Sequence, residues 1–534
     1  MYDLLIVGGG IVGCGAARDA AMRGLSTALV EQNDVAFGTS SRSSKLVHGG
    51  LRYLEQGEFS LVFEAVSERR VLMDIAPHLV TPLGFLFPVY KHSRRGVFTV
   101  NIGMWLYDGL SLFRSPRIHR NLSAKDVEAE EPALERTGLR GAPLYYDCAT
   151  DDARLTLENA LDAVAHGAEV FTWTRVVGLV KDERGRITGV RVRDAHTGVE
   201  RELGARCVVN ATGPWTDRVR ALGQADKPLL RPTKGVHIVV DHARLPVHNA
   251  VVCFHPDDGR VLFAIPWADR TYVGTTDTDY TGDPGEVYAD ANDVSYLLSA
   301  ANRYFPGASL GREDVIATWA GLRPLIAEEG SASSVSREHE IVVDADGLVT
   351  IAGGKLTTYR KMAKEVVDRG VAMLRLLGGG PAEIGEAHTA RHPLPGAVGW
   401  PEDDDVARVV ARIREAGPAD EATARLFAAT YGTRGVDVAA RMAADPRAAE
   451  PIVEGRPERM AQVDWAVERE LAKTVTDVMV RRTQLYYRDV EQGLGAEEKV
   501  ADRMAEKLGW TEERHVQEVL AYQQFVAKNR AWRA

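Results

Sequence analysis

Leu4-Leu5-Ile6-Val7-Gly8-Gly9-Gly10-Ile11-Val12-Gly13, followed by an Ala-rich run to Arg23 and by Thr27-Ala28-Leu29-Val30-Glu31, is the stretch whose reading decides the fold. A short apolar run, a glycine turn, a helix predicted over Ile11 to Arg23 and a second apolar run ending on an acid make a βαβ unit. Gly8, Gly10 and Gly13 fill the pattern G-x-G-x-x-G. The first permits a tight turn, the second lets the backbone approach a pyrophosphate, and the third lets the helix pack closely on the strand. The helix N-terminus then faces phosphate charge, and Glu31 can accept hydrogen bonds from ribose hydroxyls.

Outward from this unit the chain is β-rich. Strand-like runs recur at Val170–Thr174, Ile187–Val192, Cys207–Asn210, Val236–Val240, Val261–Ile265 and Ile341–Val343, separated by turns such as Asp182–Gly185. A Pro- and Gly-containing stretch from His392 to Pro401 changes the character, and nearly everything after Asp403 has helical periodicity. The predicted class is α/β: a Rossmann-like nucleotide-binding domain, a β-rich substrate domain and a C-terminal α-helical domain.

At 534 residues the chain has room for two or three cores and a large buried cofactor. Its net charge of −10 argues against a nucleic-acid partner, because phosphate backbones demand a broad excess of Lys and Arg. The four cysteines, Cys14, Cys148, Cys207 and Cys253, show no metal-ligand or iron–sulfur spacing, so no metal is expected and a reducing compartment is. The first strand begins at Tyr2, which leaves no space for an export signal. The longest uncharged apolar stretch, Leu4 to Ala17, is shorter than the roughly 20 residues of a spanning helix.

The glycine fingerprint does not by itself distinguish FAD from NAD. The rest of the chain favours FAD. A Ser-rich loop, Thr39 to Lys45, replaces the contiguous βα units of an NAD domain. Cys207–Asn210 runs into Ala211-Thr212-Gly213-Pro214-Trp215, and Ile351-Ala352-Gly353-Gly354-Lys355-Leu356-Thr357-Thr358 offers glycines and hydroxyls at a helix start, suited to a flavin or its ribityl chain.

With these blocks, and with Thr39–Leu54, Asp151–Leu155, Lys234–His237, Gly274–Asp277, Gly321–Leu325 and Gly353–Lys361, the sequence resembles the FAD-dependent glycerol-3-phosphate dehydrogenases of the D-amino-acid-oxidase-like flavoprotein group, from residue 1 to about 365. The resemblance implies non-covalent FAD. It implies oxidation of sn-glycerol 3-phosphate to dihydroxyacetone phosphate, with quinone as acceptor in the dehydrogenases and oxygen in the related oxidases. It implies a discontinuous FAD domain over 1–90, 150–235 and 345–385, substrate or cap regions over 91–149 and 236–344, and a helical domain over 400–534. Cofactor contacts are expected from Gly8, Gly10, Gly13, Glu31, Thr39, Ser40, Ser44, Lys45, Leu46, Ala211, Gly213, Trp215, Gly354, Leu356 and Thr357.

A phosphomonoester needs several fixed cations and donors, and the planar fork of Arg suits phosphate oxygens. Arg52, Arg323 and Lys355, each in a family block, are assigned to the phosphate or to the C2 oxygen, with Tyr53 as an added donor and Arg337 placed beside them. The proton acceptor should be neutral near pH 7, which points to histidine. His48 is the first choice and His237 the second. The other histidines are read mostly as surface groups.

Between Lys91 and Arg120 six Lys or Arg stand against one acid, Asp108, and Phe98, Ile102, Trp105, Leu106, Leu110 and Phe113 recur near helical spacing. Two readings follow: a helix packed on the core, or a basic-rimmed apolar face lying peripherally on the inner face of the cell membrane, where a quinone would be met. In the tail, runs such as Val463–Arg482 read as amphipathic helices, Arg481-Arg482-Thr483 as helix-face salt bridging, and the whole as a cap or assembly domain compatible with a homo-oligomer. The competing functions are an oxygen-using oxidase of the same family, an amine or amino-acid oxidase on the same scaffold, and a non-catalytic FAD-binding protein.

Overall fold

Leu4, Leu5, Ile6 and Val7 are all buried, the continuous apolar run of a strand covered on both faces. In the computed structural model, which describes residues 1–51, 54, 57–93, 96–111, 115–225, 227–327, 339–378 and 380–534, this strand (Tyr2–Val7) is central in a parallel ladder. The order is Glu169–Phe171, Thr27–Val30, Tyr2–Val7, Glu200–Asn210 and Val349–Gly353, with His339–Val343 added antiparallel at the edge. One face is covered by helices Ile11–Met22, Asp152–Ala165 and Tyr359–Leu376, which meet the sheet through Leu4, Ile6, Ala17, Ala160 and Val366. Over the other face, Glu200–Asn210 turns in its first half into an antiparallel meander with Ile187–Asp194 and Thr174–Lys181 that buries Leu5, Val7, Val190 and Val192.

The first helix lies so close to its strand that a Cβ on Gly13 would stand 1.9 Å from the Gly8 carbonyl oxygen. Gly13→Ala is therefore expected to lower stability by about 1–3 kcal/mol, read as a shift of the denaturant midpoint with unchanged slope. An unaltered midpoint would mean that the helix can retreat without loss.

The second sheet is built on the long antiparallel pair Leu230–Asp241 and Val315–Ile326, in register His237↔Trp319 and Thr233↔Arg323. Arg270–Gly274, Val261–Trp267 and Ala250–Phe254 extend it. The alternation of period two decides what each face does. Val236, Ile238 and Val240 pack under helix Ala291–Tyr304 through Val294, Leu297 and Ala301. Gly235 and His237, with their partners Gly321 and Trp319, point to the opposite side.

Leu46–Val47, Val80–Leu86 and Leu139–Thr150 also hydrogen-bond into this second sheet. This corrects the division that placed residues 1–90 wholly in the FAD domain: alternation marks a strand but does not say which sheet it joins. The strand Leu230–Asp241 of the second sheet likewise starts ahead of the expected boundary at 236.

After the linker, helices Val406–Ala416, Glu421–Tyr431, Gly435–Ala444 and Met460–Arg469 enclose their own core around Ile413, Phe427 and Val438. The run Val463–Arg482 is not one helix. It breaks after Arg469, Leu471 takes a φ of 62°, and Asp477–Arg482 winds as a wide π-type helix. Arg481 and Arg482 are buried, not on a solvated face: both pair with Asp34 of the nucleotide-binding domain. Among the described residues, no helix is long and apolar enough to cross a membrane.

Candidate active site

The carboxyl ends of the parallel strands form one rim of a cavity of about 530 Å³, the place where open α/β sheets bind ligands. Gly8, Gly10, Glu31, Thr39, Ser40, Ala211, Gly213, Trp215, Gly354, Lys355 and Leu356 line it. At the turn, Ser40 Oγ accepts from the Ile11 N–H at 2.9 Å, and Glu31 accepts from the Gly9 N–H at 2.6 Å and the Asn33 N–H at 2.8 Å. Burial pushes the Glu31 carboxyl up to about 7, against these two backbone donors. A helix N-terminus, a carboxylate at the ribose position and a glycine-lined floor fit a dinucleotide cofactor. Arg175, Arg193, Arg218 and Phe37 also line the cavity. Sequence reasoning missed them because they come from separate elements without a shared motif.

Beside this cavity the second sheet presents its Gly235–His237 face. The Ser-rich loop lies across it: Thr39 Oγ1 donates to the Leu322 carbonyl at 2.6 Å, Ser44 Oγ stands 2.9 Å from His237 Nε2, and Tyr272 donates to the Ser44 carbonyl. His237 is stacked on Trp319, ring centroids 4.6 Å apart. Its Nδ1 is buried without a hydrogen-bond partner among the described residues. Burial, then the nearby charges of Arg323 and Lys45, hold this imidazole well below its ordinary value, so it is neutral at pH 7.

Arg323 arises from the same face. It donates to Asp277 Oδ1 at 3.1 Å, to Thr275 Oγ1 at 3.3 Å and to the Thr276 carbonyl at 3.2 Å. Gly235 leaves the space: a Cβ there would lie 2.8 Å from the guanidinium. Lys355 lines the cavity, as does Pro324, the strand neighbour of Arg323. Thr357 ties in His48 by exchanging hydrogen bonds with its main-chain N–H (3.1 Å) and carbonyl (3.2 Å). The roles of Thr275 and Asp277 in holding Arg323 were not read from the sequence, although both lie in the Gly274–Asp277 block.

The side chains of Lys45 and Leu46 point away from the cavity, which leaves their main chain to meet a cofactor. Lys45 does not reach the cavity with its side chain. Its ammonium is buried, 2.6 Å from Asp152 Oδ1 and over the rings of Trp267, Trp319 and Tyr487. Burial opposes its charge, but Asp152 outweighs this and raises it above the ordinary lysine value. Leu46 packs in the core beneath the second sheet. Asp152, which also accepts from the Ser43 N–H and hydroxyl, is thus the anchor of the Ser-rich loop. Gly13 and Thr357 act behind the cavity, as packing and as a tie to His48. Arg52, Tyr53 and Arg337 lie outside the described residues. Of the histidines read as surface groups, His78, His119 and His255 are buried.

Comparison with known proteins agrees with this geometry. A profile of FAD dependent oxidoreductases matches residues 3–369, and one for the C-terminal domain of alpha-glycerophosphate oxidase matches residues 387–515. The chain is 39% identical over 518 residues to the aerobic glycerol-3-phosphate dehydrogenase of Bacillus subtilis (strain 168), covering 96% of this chain and 92% of that protein. It is 38% identical over 519 residues to the enzyme of the same name from Staphylococcus haemolyticus, with the same coverage. The crystal structure of the glycerol-3-phosphate dehydrogenase from Bacillus halodurans complexed with FAD superposes with a TM-score of 0.82 at 34% identity, over 99% of this chain and 95% of that one.

Proposed function

The chain belongs to the FAD-dependent glycerol-3-phosphate dehydrogenases, and from that membership we propose that it oxidises sn-glycerol 3-phosphate to dihydroxyacetone phosphate. The observation that carries the reading is a cavity lined by the glycine turn, Glu31 and Lys355 beside the sheet face that carries Arg323, in a chain that is acidic overall. FAD, when bound there, supplies the two-electron acceptor for the hydride leaving C2. Arg323 and Lys355 bind the phosphate or the C2 oxygen. Arg52, Tyr53 and Arg337 are proposed to join them, a role supported by sequence alone.

His48 takes the C2 hydroxyl proton. It is preferred to His237 because desolvation and the neighbouring cations leave the His237 ring a poor proton acceptor. Stacked on Trp319 and tied to Ser44, His237 shapes the site instead. Anaerobic titration with sn-glycerol 3-phosphate tests the reading: loss of flavin absorbance supports it, and unbleached flavin withdraws it. His48→Asn should then bleach far more slowly at full FAD content.

The ionisation of Glu31 gives a pH prediction. Burial pushes its carboxyl up to about 7 from an ordinary 4.5, so its contribution to stability is present below 4.5 and lost as pH rises through 7. Ribose hydroxyls favour the carboxylate, so FAD binding releases a proton. Affinity should fall as pH drops below 7, by up to about tenfold per unit until the bound-state value is reached. Fluorescence titration of the apoprotein at pH 6 and pH 8 measures this. Glu31→Gln should flatten the dependence.

We propose a membrane quinone as the final acceptor, reached from a peripheral position on the inner face of the cell membrane. Helix Val97–Leu110 buries Val100, Met104 and Tyr107, yet leaves Phe98 76%, Ile102 55% and Trp105 55% exposed. Phe59 and Phe63 are exposed on helix Phe59–Ile75, which packs against it. One face of this helix packs on the core, and the exposed rings of the other support the membrane reading. Lys91, Arg117 and Arg120 flank it; Arg94, Arg95, Phe113 and Arg114 lie outside the described residues. Phe98→Glu with Trp105→Glu should weaken sedimentation with anionic vesicles by about tenfold or more per ring, while turnover with a soluble acceptor persists. Unchanged sedimentation would sink the assignment.

A further inference from the structure

We propose that Asp162, His166 and His392 form a binding site for a divalent transition-metal ion of the zinc type, joining the nucleotide-binding domain to the segment that leads into the helical domain. The three side chains offer ligand atoms that all lie within 4.8 Å of one another. His166 Nδ1 stands 3.5 Å and His392 Nε2 3.8 Å from the same carboxylate oxygen, Asp162 Oδ1. Tetrahedral zinc with bonds near 2.05 Å separates its ligands by about 3.3 Å, so closing the set requires shifts of well under the length of a bond for these two pairs.

The site is held from behind by Arg18. Its fully buried guanidinium takes the other carboxylate oxygen, Nε to Asp162 Oδ2 at 2.6 Å, and donates from Nη2 to the main-chain oxygen of His392 at 2.7 Å. One residue thus aims Oδ1 at the two imidazoles and fixes the backbone of the distal histidine, the task of an outer partner at metal centres. The setting also favours a cation. His166 caps the C-terminus of helix Asp152–Ala165 and Asp162 lies in its last turn, at the negative end of the helix dipole.

Two imidazoles with one carboxylate suit Zn2+, Cu2+ or Ni2+, and not the all-oxygen shells of Ca2+ or Mg2+. The histidine side chains are 31% and 38% exposed, which leaves an entry path and a fourth position for water. The cost is local: Nδ1 of His166 lies 2.8 Å from the Asp162 carbonyl, and metal ligation replaces that hydrogen bond. None of the three residues lines the cofactor cavity, so the expected consequence is a stiffer joint between domains, not a change in chemistry.

The test uses tag-free, chelator-stripped holoenzyme titrated calorimetrically with Zn2+, with thermal unfolding followed in parallel. One ion per chain and a raised unfolding midpoint are expected, with affinity falling about tenfold or more in His392→Asn and in His166→Asn while turnover stays as in the parent. Zn2+ uptake that is absent, or identical in parent and variants, overturns the site. Should either variant lose its flavin, Co2+ on the parent protein decides: intense visible bands of four-coordinate Co2+ in the difference spectrum support the site, and their absence rejects it.

Discussion

Replacing Arg323 with Ala is expected to lower kcat/KM for sn-glycerol 3-phosphate by roughly two orders of magnitude at full FAD occupancy. Hydrogen bonds to charged groups contribute about 1.5–3 kcal/mol each, and the fork of Arg323 is already oriented by Asp277, Thr275 and the Thr276 carbonyl before substrate arrives. That prior orientation is why the loss should be large: the free enzyme has already met the cost of ordering the side chain. Arg323→Lys keeps the charge and loses the planar fork, so it should recover only part of the deficit. A second readout separates this role from a general loosening. Arg323 is one of the charges holding His237 down, so its removal should raise the His237 pKa and move the imidazole resonance in a pH titration. An unchanged kcat/KM would remove Arg323 from the site, whatever His237 does.

What the sequence made legible was local. Gly8–Gly13 and Glu31 could be placed because turn chemistry and helix packing constrain those positions within one βαβ unit. The glycine-rich strand ends at Asn210–Trp215 and Gly353–Leu356 could be placed for the same reason, and all three reach one cavity. The side-chain setting of Lys45 was not legible because its partner Asp152 is 107 positions away, and no local rule says that a lysine in a Ser-rich loop turns inward to a carboxylate and an aromatic cage. The face formed by Gly235, His237, Trp319, Gly321 and Arg323 was written as alternation in two distant segments. Only the register Thr233↔Arg323, a product of pairing across the sheet, turned those residues into neighbours. Periodicity assigned Val463–Arg482 to a helix, whereas Arg482 reaches inward to the Glu470 carbonyl as well as to Asp34, and tertiary pairing overrode the helical preference.

That inward turn carries a large expected stability effect. Asp34 is fully buried and accepts from Arg481 Nε at 2.5 Å and from Arg482 Nη1 and Nη2 at 2.7 and 2.8 Å. Burial alone would raise its carboxyl, but the two guanidiniums outweigh it and hold Asp34 below the ordinary value of 3.8. Its contribution is therefore full above 3.8 and is lost as pH falls through the lower folded value. Asp34→Ala leaves two buried arginines short of a partner and should cost about 3–5 kcal/mol near neutral pH, with a smaller penalty in strong acid. Because Asp34 lies between Glu31 and Phe37, and Ala36 donates to the Gly9 carbonyl at 2.9 Å, the same change should loosen the cofactor loop and release fluorescent FAD well below the unfolding midpoint. Replacing Asp34, Arg481 and Arg482 together with apolar residues of similar volume, with Asp477→Asn added because Arg481 also pairs with that buried carboxylate, removes the unpaired charges and should recover stability relative to Asp34→Ala alone. If this combined variant is the weaker of the two, the seam stabilises through its ion pairs themselves. If Asp34→Ala keeps both midpoint and FAD, the helical domain does not brace the cofactor loop.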